Sequence, residues 1–351
     1  MDMKLGIIGF GWMGCKHFRQ IIPKDIGITV GGVYDIDPER LQFAKELGLK
    51  VYEDLESFLL ADEIDIVLVA TPNHLHKQYV ISALNAKKHV ISEKPATLTS
   101  EELLEIMDAE KKSKKVYTVH QNRRWDKDFL IVKKAIQENM IGKPLVIESR
   151  VEGANGIPSD WRRDARCGGG MLYDWGVHLI DQLLCLSDSP VVSVYAQLMC
   201  VNYQVDDNVR IFLQFQDGLR AQIEVTTLCF LHQPRWHILG SEGTMDVKNW
   251  ECEGKIVKGK VKEIDWGIDM VKNAAGFTRT MRPRPKETVE ELLLPELSAD
   301  ESRNLFYENV VRAIKGDKDS YVSSREVYRT SRVMDACFKS ARENRVVTDV
   351  I

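Results

Sequence analysis

Along the first 120 residues, short apolar runs take turns with amphipathic stretches of helical period. Lys4–Gly9, Thr29–Tyr34, Lys50–Tyr52, Ile64–Ala70, His89–Ser92 and Val116–His120 read as strands. Between them lie predicted helices at Trp12–Ile22, Pro38–Leu47, after Asp54, at His74–Ala86 and from Thr99 to about Ser113. Pro38 and Glu39 in a first turn are a helix start signal. Strands joined by single helices need right-handed crossovers, so this half predicts a parallel, doubly wound sheet of the Rossmann type over residues 1–121.

Past His120 the periodicity changes. A helix at about Asp126–Asn139 leads into a strand at Pro144–Val151, a loop rich in Gly, Arg and Pro up to Gly170, and a helix at Leu172–Leu186. Val191–Val201, Asp207–Gln216, Leu219–Thr227, Arg235–Leu239 and Thr244–Val247 then read as strands, with Asp217-Gly218 and the segment 240–243 as hairpin turns. This predicts an α+β domain over residues 122–351, built on an open, mainly antiparallel sheet. Gly267–Pro295, with Arg279, Arg282, Pro283, Arg284 and Pro285, reads as a long loop, and Ser298–Lys315 and Ser323–Asn344 as closing helices.

Composition narrows the class. The 351 residues are 44% hydrophobic and 28% charged, a soluble globular balance for two domains. With 48 Lys plus Arg against 52 Asp plus Glu, the net charge of −4 leaves no footprint for nucleic acid or an anionic membrane. The apolar runs are too short to span a bilayer. A strand at Lys4–Gly9 leaves no place before it for a cationic leader, and the seven scattered cysteines contain no CxxC pair. A reduced, cytoplasmic protein is expected.

Gly9-Phe10-Gly11-Trp12-Met13-Gly14 is GxGxxG at the end of the first strand and the start of the first helix. Gly9 permits the turn, Gly11 a close pyrophosphate and Gly14 tight helix packing, while the helix start offers N–H donors. Asp35, 21 residues after Gly14, ends the second strand, where a carboxylate binds ribose hydroxyls and repels a 2′-phosphate. Ile36 follows it rather than Arg, so NAD is expected over NADP.

Ligands of such a sheet lie beyond the carboxyl ends of its strands. Thr71-Pro72-Asn73 with His74 and His76, Glu93-Lys94-Pro95, and Gln121-Asn122-Arg123-Arg124-Trp125 all fall there. If Lys94 faces an oxidised nicotinamide, that ring's charge and partial burial both favour the neutral amine, which can accept an alcohol's proton. In the second half, Asp174 and His178 are four apart in Gly168–His178 and would share a helix face. Such a pair can grip hydroxyls and move a proton. It could equally be two zinc ligands, but no further ligand has convincing spacing, and no metal is expected.

These segments together resemble the glucose–fructose oxidoreductase/inositol dehydrogenase (Gfo/Idh/MocA) family, nearly end to end: GFGWMG, ATPNHLH, HVISEKP, QNRRW, WRRD, GGGMLYDWGVH and FYENVVRAIKG. The resemblance implies a nicotinamide cofactor and reversible oxidation of a secondary alcohol on a sugar, inositol or related polyol. It implies that Lys94 is proton donor or acceptor and substrate anchor, that Asp174 and His178 orient substrate and assist proton transfer, and that Asn73 and His76 lie near the nicotinamide. Trp161 and Arg162 would lie beside cofactor and substrate. The expected cofactor site is residues 9–14, Asp35, Thr71, Pro72, Asn73, His76, Glu93, Lys94, Asn122, Trp161 and Arg162. The expected substrate site is Lys94, Arg123, Trp161, Asp174 and His178. The family's open sheet implies a homo-oligomer, dimer or tetramer. Whether Lys94 or His178 is the principal base stays open. Arg123, Arg124, Arg162, Arg163, Arg166 and Arg279 would serve an anionic substrate, cofactor phosphates, salt bridges or a subunit contact. The alternatives that the resemblance implies for this chain are an NAD-retaining glycosidase using transient sugar oxidation, or a non-catalytic dinucleotide-responsive regulator.

Overall fold

The computed structural model describes residues 2–22, 26–261, 270–279, 284–317, 321–348 and 350–351. Six parallel strands form the first sheet: β1 (Met3–Ile8), β2 (Ile28–Tyr34), β3 (Val51–Tyr52), β4 (Ile66–Val69), β5 (His89–Ser92) and β6 (Tyr117–Val119). Their order is β3-β2-β1-β4-β5-β6, so the winding direction reverses between β1 and β4. That reversal opens the crevice in which ligands of such sheets bind. The connecting helices are α1 (Trp12–Lys16), α2 (Pro38–Glu46), α3 (Leu55–Leu60), α4 (His76–Asn85) and α5 (Ser100–Ser113). Asp37, Asp54 and Thr99 cap α2, α3 and α5 through their side chains. The predicted first helix changes character midway, with α1 continuing as a π-helical stretch over His17–Ile21.

Helix α6 (Lys127–Gln137) leads into the second domain, where α7 (Val177–Leu186) follows a π-helical stretch at Leu172–Gly176. Nine strands make its sheet: β7 (Pro144–Glu152), β8 (Val191–Met199), β9 (Asn208–Phe215), β10 (Arg220–Thr226), β11 (Trp236–Gly240), β12 (Gly243–Val247), β13 (Gly254–Gly259), β16 (Val289–Leu292) and β17 (Val347–Thr348). The order is β16-β13-β12-β11-β7-β10-β9-β8-β17, antiparallel throughout except for β7 with β10. The alternation Val209, Ile211, Leu213, Phe215 on β9 turns one face into the core, where α6, α7 and the last helix cover it.

The predicted long loop at Gly267–Pro295 instead holds a hairpin of β14 (Met270–Asn273) and β15 (Gly276–Arg279), and then β16 on the sheet edge. Arg282 and Pro283 lie outside the described residues. Strand β13 escaped prediction because lysines stand at two of its positions and only Ile256 is fully buried. The helix predicted from Ser298 begins only at Phe306: Ser298 and Glu301 bond each other in a local turn, and α8 spans Phe306–Ile314.

Helix α9 (Ser324–Glu343) starts with a capping box between Ser323 and Glu326. Phe306, Tyr307, Val310 and Val311 of α8, with Val322 and Val327, complete the hydrophobic core of the first sheet. Val333, Met334 and Cys337 of α9 belong to the core of the second. Arg124 ties these layers together: Nε and Nη2 donate to the two oxygens of buried Asp181 at 2.7 and 2.8 Å, and Nη1 donates to Glu326 at 2.7 Å. Arg124→Leu would leave Asp181 buried without its cation, so unfolding free energy should fall by about 3–5 kcal/mol in denaturant titration.

Candidate functional site

The glycine turn sits at the sheet's switch point. Gly9 has φ +90°, and a Cβ on Gly14 would lie 2.1 Å from the Gly9 carbonyl, so neither position tolerates a side chain. Helix α1 opens at Gly11 with no side-chain cap. The Phe10 side chain is a core group, Met13 is half-buried and Trp12 is exposed under the Lys16 ammonium, so these residues offer their backbone. Buried Asp35 accepts the Phe10 N–H at 2.6 Å and the Asp37 N–H at 2.9 Å. Arg40, which the sequence reading passed over, comes within 3.6 Å of Asp35 and 3.4 Å of Asp37, beside Gly11. A bare helix start, a glycine ledge and a buried carboxylate fit the diphosphate and ribose of a dinucleotide.

From the next strand end, half-buried Thr71 and Pro72 lead into the turn Asn73–Leu75. Asn73 crosses to the second domain, donating Nδ2–H to the Gly168 carbonyl at 2.8 Å. His76 does not face open space. Its ring is buried between the Pro95 and Thr71 carbonyls, 2.7 and 2.9 Å from its two nitrogens, and burial lowers its pKa, so the neutral ring donates its single N–H to only one of them. It therefore packs between two loops of the sheet edge, while His74 is exposed.

Lys94 reaches across the crevice. Its Nζ donates to Asp174 Oδ1 at 2.7 Å and to the Asp174 carbonyl at 2.8 Å. An ammonium has three N–H donors, so one remains for a ligand oxygen. Burial acts to raise the Asp174 carboxyl, but Lys94 and then Arg162 outweigh it and hold it below its usual range. Arg162 approaches Asp174 at 3.6 Å, lies 4.6 Å over the Trp161 ring and donates to Asp160 at 2.6 Å.

Asp174 lies in the π-helical stretch and His178 in α7. Residues four apart stay near one face where a π turn runs into an α-helix, and Lys94 faces both groups: its amine bonds the Asp174 carboxylate, and its charge acts on the His178 ring. His178 is 4% exposed and its Nδ1 has no hydrogen-bond partner among the described residues. Burial, then the Lys94 and Arg123 charges, pushes its pKa well below 6.5, so the ring is neutral at pH 7. Asn122 opens the turn Asn122–Trp125 and is half-buried. Arg123 donates to Asp126 at 3.0 Å, and its guanidinium lies 4.5 Å from the Trp175 ring centre. Of the other arginines, Arg163 donates to the Ile157 carbonyl and Arg166 to Asp164, both local contacts. The side chain of Arg279 lies outside the description.

Beneath Lys94 is a cluster that sequence reading missed. Glu93 Oε1 accepts from His17 Nε2 and from His120 Nδ1, each at 2.8 Å, and all three residues are buried. With its Nε2–H given to Glu93, His17 accepts the Tyr307 hydroxyl at Nδ1, 2.6 Å away. Burial and His120 push His17 down to about 4, so it is neutral. For Glu93, burial is opposed by the two imidazoles, which keep the carboxyl well below its usual range. His17, Glu93 and His120 lie close enough to share a metal ion, as do Glu152, Cys229 and His232. The first set is already joined by direct hydrogen bonds at its would-be ligand atoms. In the second, Glu152 accepts the Gln233 N–H and His232 is exposed. Only His17, three residues past Gly14 of the glycine turn, carried a sequence signal, since polar residues inside a buried helix need a reason.

The segment 168–170 is shaped by Asp206. A Cβ on Gly170 (φ +107°) would meet its carboxyl at 2.1 Å, and Asp206 accepts the Leu172 N–H at 2.6 Å. Burial raises the Asp206 pKa to about 7 despite that bond. Above pH 4 the unfolded chain loses this proton while the folded chain keeps it, so the group lowers stability progressively up to about pH 7. Asp206→Asn should therefore gain stability relative to the parent across pH 4–7, by at most about 4 kcal/mol, in urea titrations at stepped pH.

Comparison with known proteins agrees with this geometry. Residues 3–121 match the family model described as "Oxidoreductase family, NAD-binding Rossmann fold", and residues 129–246 match the GFO/IDH/MocA C-terminal domain. An NAD-binding protein from Listeria innocua is 43% identical, with 99% of each chain covered and a TM-score of 0.93. The scyllo-inositol 2-dehydrogenase (NADP(+)) IolW of Bacillus subtilis is 26% identical over 98% of this chain and 95% of its own. The WlbA dehydrogenase from Bordetella pertussis, solved with NADH and UDP-GlcNAcA, shares the fold at 23% identity, with a TM-score of 0.77 and 99% of each chain covered. With both domain models matched in chain order, the protein belongs to the Gfo/Idh/MocA family of oxidoreductases.

Proposed function

We propose that the protein is an NAD-preferring dehydrogenase acting on a secondary alcohol, or the matching ketone, of a sugar, inositol or related polyol. The observation that carries this reading is the Lys94–Asp174 contact across the crevice, beside a buried neutral imidazole. Bound through its diphosphate on the glycine turn, the dinucleotide would supply the hydride acceptor, its nicotinamide. Lys94 anchors the carbinol oxygen, through its remaining N–H as an ammonium or through its lone pair as a neutral amine, and in the neutral form it is one of two candidate groups to take the proton. Asp174 fixes the amine, and His178 is the other candidate acceptor. Gly9, Gly11, Gly14 and Asp35 hold the dinucleotide, with Thr71, Pro72, Asn73, Asn122, Trp161 and Arg162 around its nicotinamide half. His76 and Glu93 support that wall from behind. Arg123 and Trp161 border the substrate.

Lys94→Ala and His178→Asn should each lower kcat by about 10²–10⁴-fold on whichever polyol the parent oxidises. NADH affinity, followed by fluorescence, should stay within a few-fold. Full turnover in either variant would remove that residue from the mechanism. The same assays run with NADP test Asp35, and a preference for NADP would contradict its proposed role.

We also propose a cytoplasmic homo-oligomer, dimer or tetramer, assembled through the open face of the second sheet, where Arg210 and Phe212 of β9 are exposed. Light scattering should give a multiple of the 40.1 kDa chain mass, and a stable monomer at micromolar concentration would refute this.

A further inference from the structure

Gln121 is 1% exposed, yet among the described residues neither its Oε1 nor its Nε2 has a hydrogen-bond partner. A primary amide is costly to bury unpaired, so a side chain in this state marks a place where something else binds. Its position is set by the backbone. Directly after β6, the Gln121 N–H donates to the Val119 carbonyl at 2.7 Å, in a tight bend with φ −78° and ψ 62°. In the parallel pairing of β5 with β6, Ser92 stands opposite Val119. Two residues further along each strand, Lys94 and Gln121 leave the sheet's carboxyl edge side by side.

The second domain closes over the same segment. Gln182 lies one helical turn beyond His178 on α7, and its Nε2 donates to the Arg123 carbonyl at 2.7 Å. This sets the His178 face of α7 against residues 121–125. His178 Nδ1 and Gln182 Oε1 are themselves buried without partners among the described residues. The unpartnered polar atoms therefore gather between the Lys94 strand end and α7.

We infer that Gln121 is a substrate-binding residue that reads one hydroxyl of the polyol, donating from Nε2 and accepting at Oε1. A hydroxyl both donates and accepts and so presents that pairing, whereas an ammonium at Lys94 offers donors only. Gln121 would then distinguish polyols by the presence and orientation of a hydroxyl near the one oxidised. The inference rests on the dehydrogenase reading above.

The test uses the full-length protein with NAD, myo-inositol, scyllo-inositol and their monodeoxy analogues. In the parent, removal of one particular hydroxyl should lower kcat/KM by about 100-fold or more. Gln121→Leu should lose a comparable factor on the intact inositol, mainly through KM, and its preference for the intact compound over that deoxy analogue should collapse towards one. NADH affinity should stay within twofold. Unchanged kcat/KM, or an undiminished preference, would overturn the inference. Weaker NADH binding in step with activity would also overturn it, assigning the amide to the cofactor's carboxamide. Gln121→Met, a linear side chain of similar volume, replaces the leucine variant if that one does not fold; failure of both would give the residue a purely structural role. If the parent oxidises no polyol, the dehydrogenase reading fails first and the inference falls with it, whereas parent activity with an unaltered Gln121→Leu profile defeats the inference alone.

Discussion

The contact between Lys94 and Asp174 is the constraint around which the crevice is organised. One partner ends a strand of the first sheet, and the other lies in a π-helical stretch of the second domain. The amine spends two donors on a single residue, so the two domains hold it at a fixed place relative to the glycine turn. Both ends are braced. Glu93, the neighbour of Lys94, is gripped by two imidazoles, and the backbone leading to Asp174 is held by Asp206. Rigid support of this kind holds reacting groups at short range instead of leaving them to find one another.

Electrostatics divides the buried groups into those that carry charge and those that do not. Glu93 and Asp174 remain anionic because imidazoles or cations face them, while His17, His76 and His178 are kept neutral chiefly by burial. A neutral imidazole beside a fixed ammonium is a poor place for a second positive charge. Any proton His178 takes up must therefore be passed on or offset by a developing negative charge on the substrate.

Much of this was legible from residue order. The period of apolar positions located all six strands of the first sheet, and the strand–turn–helix context of the glycines located the switch point. Other elements were hidden for identifiable reasons. The lysines of β13 broke its alternation, and the arginines and prolines around Arg279–Pro285 masked a hairpin and an edge strand. The spacing of Asp174 and His178 suggested a regular helix because nothing local marks a π turn. The Glu93 cluster joins positions 17, 93, 120 and 307, which only the folded chain brings together. Arg40 and Gln121 could be seen as residues, but their partners, or lack of them, depend on burial that spacing does not report.

The placement of α8 has a consequence for biosynthesis. A nascent chain emerges from the ribosome in order from its amino-terminal side, yet the first sheet here lacks Phe306, Tyr307, Val310 and Val311 until the strands of the second sheet up to β16 have been translated. During that interval the apolar surface those side chains will cover stays open to solvent, so the first sheet reaches its final packing only when a segment made after most of the second sheet returns to it.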